Sequence, residues 1–164
     1  MSSFSNIRDV PFTAQQMFYL VADVERYPEF LPLCESLIVL SRRAEGGLTI
    51  LEARMGVGYK AIRETFTSRV TLTPAAPSNM PATPSILVEY LDGPFKRLEN
   101  RWRFIPTVAG SDIDFYVDYE FRSPVLAILM GAMFDKAFRQ FASAFEERAR
   151  QVYGQPAAAS LTGA

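Results

Sequence analysis

A chain of 164 residues fits one domain with a real hydrophobic core, and a net charge of -1 argues against a simple electrostatic nucleic-acid binder, so no DNA partner is expected. The chain has no histidine, which excludes a Ser-His-Asp triad, a Cys-His pair and any His-based metal site. Its one cysteine, Cys34, excludes an internal disulfide and a multi-cysteine cluster, and beside Pro32 and Leu33 it reads as a small buried side chain rather than a nucleophile.

In chain order, Met1–Asn6 has no basic segment followed by an apolar core, so no secretory signal is expected. Ile7–Val10 reads as a short strand closed by Pro11. Thr13 is a plausible N-cap, and Gln15–Val24 places Met17, Leu20, Val21 and Val24 at helical spacing. Tyr27–Pro32 reads as a second short helical turn bracketed by prolines. Leu37–Arg43 is a strand, Gly46-Gly47 a hairpin turn, and Leu48–Val57 the returning strand.

Gly56-Val57-Gly58 is expected to be another turn or a bulge, followed by a long strand over Tyr59–Leu72. There Ile62, Glu64, Phe66, Ser68, Val70 and Leu72 share a face. Thr73–Ser85 is proline-rich and reads as a mobile loop. Ile86–Leu91 is a strand, Asp92-Gly93-Pro94 is turn chemistry, and from Phe95 the residue types alternate. Lys96, Leu98, Asn100, Trp102 and Phe104 fall on one face, with Phe95, Arg97, Glu99, Arg101 and Arg103 on the other. Pro106–Ser111 turns the chain. Asp112–Phe121 then sends Ile113, Phe115, Val117, Tyr119 and Phe121 inward and its acids outward, where cross-strand ion pairs with the 97–103 arginines are expected. Ser123-Pro124 starts a final helix reaching about Tyr153, with an apolar stripe from Leu126 through Leu129, Phe134 and Phe138 to Phe145. Residues 155–164 read as a disordered tail after a single domain over 1–154.

These elements define an α+β fold. An antiparallel sheet of six to seven strands has one apolar face, and one long amphipathic helix lies across it. Such a sheet coils, and the gap between sheet and helix is a natural apolar pocket with Tyr27–Leu33 as its lid. Polar residues on the inward faces then matter: Asn100, Ser68 and Tyr119 are available donors. Glu64 reads three ways: a buried acid, an anchor for a polar headgroup, or a strand-end residue partnered by Arg54 or Arg63. The apolar run Val125–Phe134 is about half the roughly 20 residues a bilayer span needs. It reads as the sheet-facing start of the last helix or as a contact with a membrane surface, and the two are compatible.

Three stretches resemble signatures of a known family. They are Asp23–Cys34 (DVERYPEFLPLC), Phe66–Val70 (FTSRV), and Asp92–Leu98 (DGPFKRL) followed by Trp102 and Phe104. In this order they resemble the START-like coenzyme Q-binding proteins of the polyketide cyclase/dehydrase superfamily, whose bacterial branch is also labelled ribosome association toxin. The resemblance covers about residues 3–153 and does not separate the two labels. It implies a helix-grip fold: a curved antiparallel sheet wrapped on a long C-terminal helix, with two short helices after the first strand. It also implies a cavity for ubiquinone or another isoprenoid lipid, held as a bound ligand with no cofactor besides, in a non-enzymatic chaperone of respiration.

On that reading the ligand-binding residues are Phe30, Leu33, Glu64, Phe66, Asn100, Trp102, Phe104, Phe115, Tyr119, Phe134 and Phe138, and Trp102→Ala should lower quinone retention more than stability. The expected location is cytoplasmic with peripheral contact at the inner membrane. The alternative partner is the large ribosomal subunit, met through Arg42, Arg43, Arg97, Arg101 and Arg103. A weaker alternative is a cyclase-like enzyme, which without histidine would need Glu64, a tyrosine or an arginine to move protons.

Overall fold

The computed structural model describes residues 2–75 and 83–154. The expected disordered tail at 155–164 and the centre of the proline-rich connection lie outside the described residues. Seven antiparallel strands form one sheet: β1 (Ser2–Val10), β2 (Cys34–Glu45), β3 (Leu48–Tyr59), β4 (Ile62–Thr73), β5 (Ser85–Asp92), β6 (Phe95–Pro106) and β7 (Ser111–Phe121). The spatial order is β1-β7-β6-β5-β4-β3-β2. The first two strands therefore sit at opposite edges, and the chain between them must cross the sheet. It does so as helix α1 (Ala14–Ala22) and a 3-10 turn (Val24–Glu29), while the long helix α2 (Pro124–Tyr153) lies over the same apolar face.

Local chemistry sets the ends of the helices. Thr13 Oγ1 accepts from the Gln16 amide at 3.0 Å, and the Gln16 side chain accepts from the Thr13 amide at 2.9 Å, a capping box that satisfies two otherwise orphaned donors. Ser123 caps α2 by accepting from the Leu126 amide at 3.2 Å, with Pro124 next in sequence. The first helix ends at Ala22, earlier than the expected Val24, and Val24 belongs to the 3-10 turn.

The alternation read for β7 holds along its length: Ile113, Phe115, Val117, Tyr119 and Phe121 are all buried. On its outer face Arg97 meets Asp118 at 3.2 Å and Arg103 meets Asp114 at 3.4 Å, the expected cross-strand pairs. Two other readings change. The pairs Phe95↔Phe121 and Arg97↔Glu120 leave Lys96 as an extra residue on β6. That bulge turns Phe95 inward and Lys96 out, reversing the expected faces of both. Gly56–Gly58 is not a turn: β3 runs through it to Tyr59. The bulge lies instead on β2 at Glu35, between the pairs Cys34↔Val57 and Ser36↔Gly56, where the glycines accommodate the close Ser36 and Glu35 side chains.

Candidate functional site: an apolar cavity between helix and sheet

The inward face of the sheet is packed with aromatic rings, and the void lies where small side chains interrupt them. Ala53 on β3 pairs in register with Ser68 on β4, and Ala137 faces them from α2; all three line one cavity of about 80 Å³. Trp102, Phe66, Phe134, Phe138 and Phe145 complete much of its wall. The lid is the 3-10 turn and the segment after it. Tyr27 and Phe30 pack edge-on against Phe145, with ring centroids 5.3 and 5.1 Å apart, and Arg148 reaches Glu29 at 2.5 Å.

Beside the cavity lies an open groove of about 510 Å³ between the β3–β4 hairpin and α2, with Tyr59, Lys60, Ile62, Leu129, Met133 and Lys136 along it. Pro32, Leu33 and Ala137 line both spaces and so stand at the boundary between them, here called the neck. Leu33 has φ 69°, a left-handed backbone that a bulky residue adopts only under constraint, and the Gly58 amide fixes it by donating to the Leu33 carbonyl at 3.0 Å. The apolar run at the start of α2 divides here. Met130 and Phe134 are buried, while Val125, Ile128 and Leu129 stand 64%, 82% and 57% exposed, so Leu129 leaves the expected core stripe.

The polar groups of the wall are almost fully engaged. Trp102 Nε1 donates to Asn100 Oδ1 at 2.8 Å, and Asn100 Nδ2 donates to the Tyr116 carbonyl at 2.9 Å. Tyr27 Oη donates to the Val21 carbonyl at 2.5 Å, and burial pushes its phenol pKa upward. Ser68 is the exception: it is 5% exposed, and its Oγ has no hydrogen-bond partner among the described residues.

Six of the residues expected at the site do line the cavity: Leu33, Phe66, Asn100, Trp102, Phe134 and Phe138. Phe30 instead packs outside, between Phe145 and the Arg148 guanidinium. Phe104 and Phe115 lie behind Trp102, in ring contact with it at 6.1 and 4.7 Å, and Tyr119 lies behind Phe138 at 5.2 Å. Glu64 shares the inward face but sits near the hairpin end of β4, half-buried and outside the wall, and its suggested partner Arg63 is paired with Glu35 at 2.9 Å. Ala53, Val70, Val88 and Ala137 also line the wall and are not among the residues expected there; they come from four different elements, so no single stretch of sequence signals them.

Cys34 is buried at the foot of the lid, and burial pushes its thiol up to about 11 from an ordinary 9.0. The fold holds the neutral thiol, so its contribution to stability is intact below about pH 9 and is lost as pH rises through about 11. Alkylation by iodoacetamide at about pH 8 should therefore be far slower in the native protein than in urea, and equal rates would contradict a buried thiol.

Among the described residues no helix is long and apolar enough to cross a membrane. Several known proteins are similar to this chain in sequence or in fold. The chain is 36% identical over 156 residues to the ribosome association toxin RatA of Vibrio cholerae, covering 94% of this chain and 100% of that protein. It is 32% identical over 157 residues to the mitochondrial coenzyme Q-binding protein COQ10 homolog B of Xenopus laevis, covering 93% of this chain and 59% of that longer protein. An 18 kDa protein of Caulobacter crescentus superposes with a TM-score of 0.71 at 33% identity, covering 94% of this chain and 100% of that one. The Zhui aromatase/cyclase of Streptomyces sp. R1128 shares the fold at a TM-score of 0.72 and 20% identity, over 92% of this chain and 95% of that one. With residues 10–146 matching the family model described as polyketide cyclase / dehydrase and lipid transport, the chain belongs to that family.

Proposed function

We propose that this protein is a non-enzymatic carrier of ubiquinone or a related polyprenyl lipid, acting as a quinone-binding chaperone in support of respiratory electron transport. The observation that carries this reading is the apolar cavity between helix and sheet, bordered at Leu33 and Ala137 by a largely apolar groove. A relative whose name states coenzyme Q binding supports it. At about 80 Å³ the resting cavity is smaller than the roughly 150 Å³ that holds one benzene, so loading requires the lid to move. Exposed Val125, Ile128 and Leu129 near the groove, with Lys60 and Lys136 along it, suit peripheral contact with a membrane from which such a lipid is drawn.

Enzymatic proton transfer finds little support in the wall. Among the described residues it contains no carboxylate and no cation, Glu64 lies outside it, and the Tyr27 phenol is bonded to a backbone carbonyl. The aromatase/cyclase neighbour shares the fold alone.

The ribosome reading rests on relatives named for ribosome association. The proposed basic surface is locally neutralised: Arg42 pairs with Glu25, Arg43 with Glu45, Arg97 with Asp118, Arg101 with Glu99 and Arg103 with Asp114. Each pair lowers the positive potential that this face offers to phosphate.

Organic extraction of freshly purified protein followed by mass spectrometry tests the two readings together. A near-stoichiometric polyprenyl quinone is the expected result. An empty extract with no uptake on reconstitution would overturn the carrier reading, and sucrose gradients showing blocked subunit joining would then support the ribosome one.

A further inference from the structure

A buried hydroxyl with no partner is costly, because folding strips its water without replacing the bond. Ser68 is in that position: the residue lines the cavity, and its unpartnered Oγ is covered in the resting protein. The neighbouring polar groups give it no relief: Asn100 and Trp102 bond each other, and Tyr27 bonds backbone. The register at this point is also irregular. Thr67 pairs with Asp92 and Ser68 with Tyr90, so Leu91 is an extra residue on β5 directly beside Ser68. Bulges of this kind re-aim side chains and recur next to binding sites.

Position along the strand gives Ser68 its depth. Ile62 lines the outer groove, and Ser68 lies six residues further along the same face of β4, about 20 Å at the rise of an extended strand. The two ends of this path differ in chemistry. The outer end is largely apolar, with Leu33, Ile62, Leu129 and Met133. The inner end offers one unsatisfied donor among hydrocarbon and aromatic walls.

We infer that Ser68 is the headgroup anchor of this cavity, and that it takes a lipid whose head carries a carbonyl-type acceptor, bound head inward with its apolar tail leaving through the Leu33–Ala137 neck. The inference rests on the lipid-carrier reading and adds the orientation of the ligand and the atom that selects it. A tail-first lipid would leave the Ser68 hydroxyl unpaired. A head-first carbonyl accepts its hydrogen bond and puts the head against Trp102, the chain's only tryptophan.

The test uses decylubiquinone, whose quinone ring quenches indole emission on contact. Binding is followed by co-elution on gel filtration, by Trp102 fluorescence and by the infrared carbonyl stretch. The wild type should co-elute with the quinone, lose Trp102 emission saturably, and show a lowered carbonyl stretch. Ser68→Ala should bind about fivefold more weakly and return the stretch upward. Without ligand, Ser68→Ala should also melt at a higher temperature than the wild type, since an unpaired donor is gone, whereas a serine with a merely structural bond would give the opposite sign. Ser68→Thr keeps the hydroxyl and should keep the lowered stretch.

Co-elution with undiminished Trp102 emission, or with equal affinity and stretch in Ser68→Ala, overturns the anchor and leaves the carrier reading standing. Absence of co-elution in the wild type overturns the carrier reading, and the anchor with it.

Discussion

Trp102→Ala is expected to destabilise the fold by about 3–5 kcal/mol, a large part of the roughly 5–15 kcal/mol that holds a typical domain together. Trp102 is 3% exposed. Its ring meets Phe115 at 4.7 Å and Phe145 at 5.2 Å, both edge-on, and stacks on Phe104 at 6.1 Å. Truncation removes all three contacts at the point where sheet, α2 and lid converge. It also takes the donor from the half-buried Asn100 Oδ1. Urea denaturation followed by circular dichroism measures the loss, and Trp102→Phe, which keeps a ring in place, should cost about 1–2 kcal/mol. A loss below about 1 kcal/mol in the alanine variant would mean that the ring is peripheral. The sequence-based expectation that this variant would lower ligand retention more than stability therefore gives way: the same ring is both wall and core, and the stability cost is the larger expected effect.

That double role shows how far the chain could be read before its structure. Alternation in β7 and β4 correctly divided inner from outer residues, because each strand has one buried face and a period of two admits one solution. Thr13 and Ser123 announced their helices through side-chain chemistry that acts within three residues. Phe95 was misread because a single extra residue, Lys96, inverts the parity of everything before it, and nothing local in the sequence announces a bulge. Glu64 and Ser68 illustrate the next limit. They share a face and differ by four residues, yet one sits near the rim and the other lines the cavity, since alternation encodes direction and not depth. The wall itself was only half legible. Aromatic residues such as Phe104, Phe115 and Tyr119 looked like pocket residues because they are large and inward, but large side chains fill space. The void is made by Ala53, Ser68 and Ala137, which come from three different elements and meet only once the sheet and helix have docked.

Filling that void at its neck should have the largest effect on binding. Ala137 is 4% exposed and lines both the cavity and the groove, so Ala137→Phe puts a ring where a ligand must pass. A cavity of about 80 Å³ cannot hold that ring and a prenyl chain together, since roughly 150 Å³ is needed for one benzene alone. The ring therefore overfills the resting void and presses on its neighbours in the neck, where Pro32 and Leu33 also line both spaces. Overpacking of this kind costs about 1–3 kcal/mol, reduced here by the empty space it occupies, so the variant should remain folded. Quinone uptake should fall by about a hundredfold or more, because a blocked neck removes the binding mode instead of weakening one contact in it. Co-elution of decylubiquinone with the purified variant measures this, with circular dichroism as the check on folding. Uptake equal to the wild type in a folded Ala137→Phe protein would place the entrance elsewhere. The contrast with Trp102 is physical: deleting a wall residue removes packing that the fold depends on, whereas adding atoms at the neck crowds a space that the ligand needs.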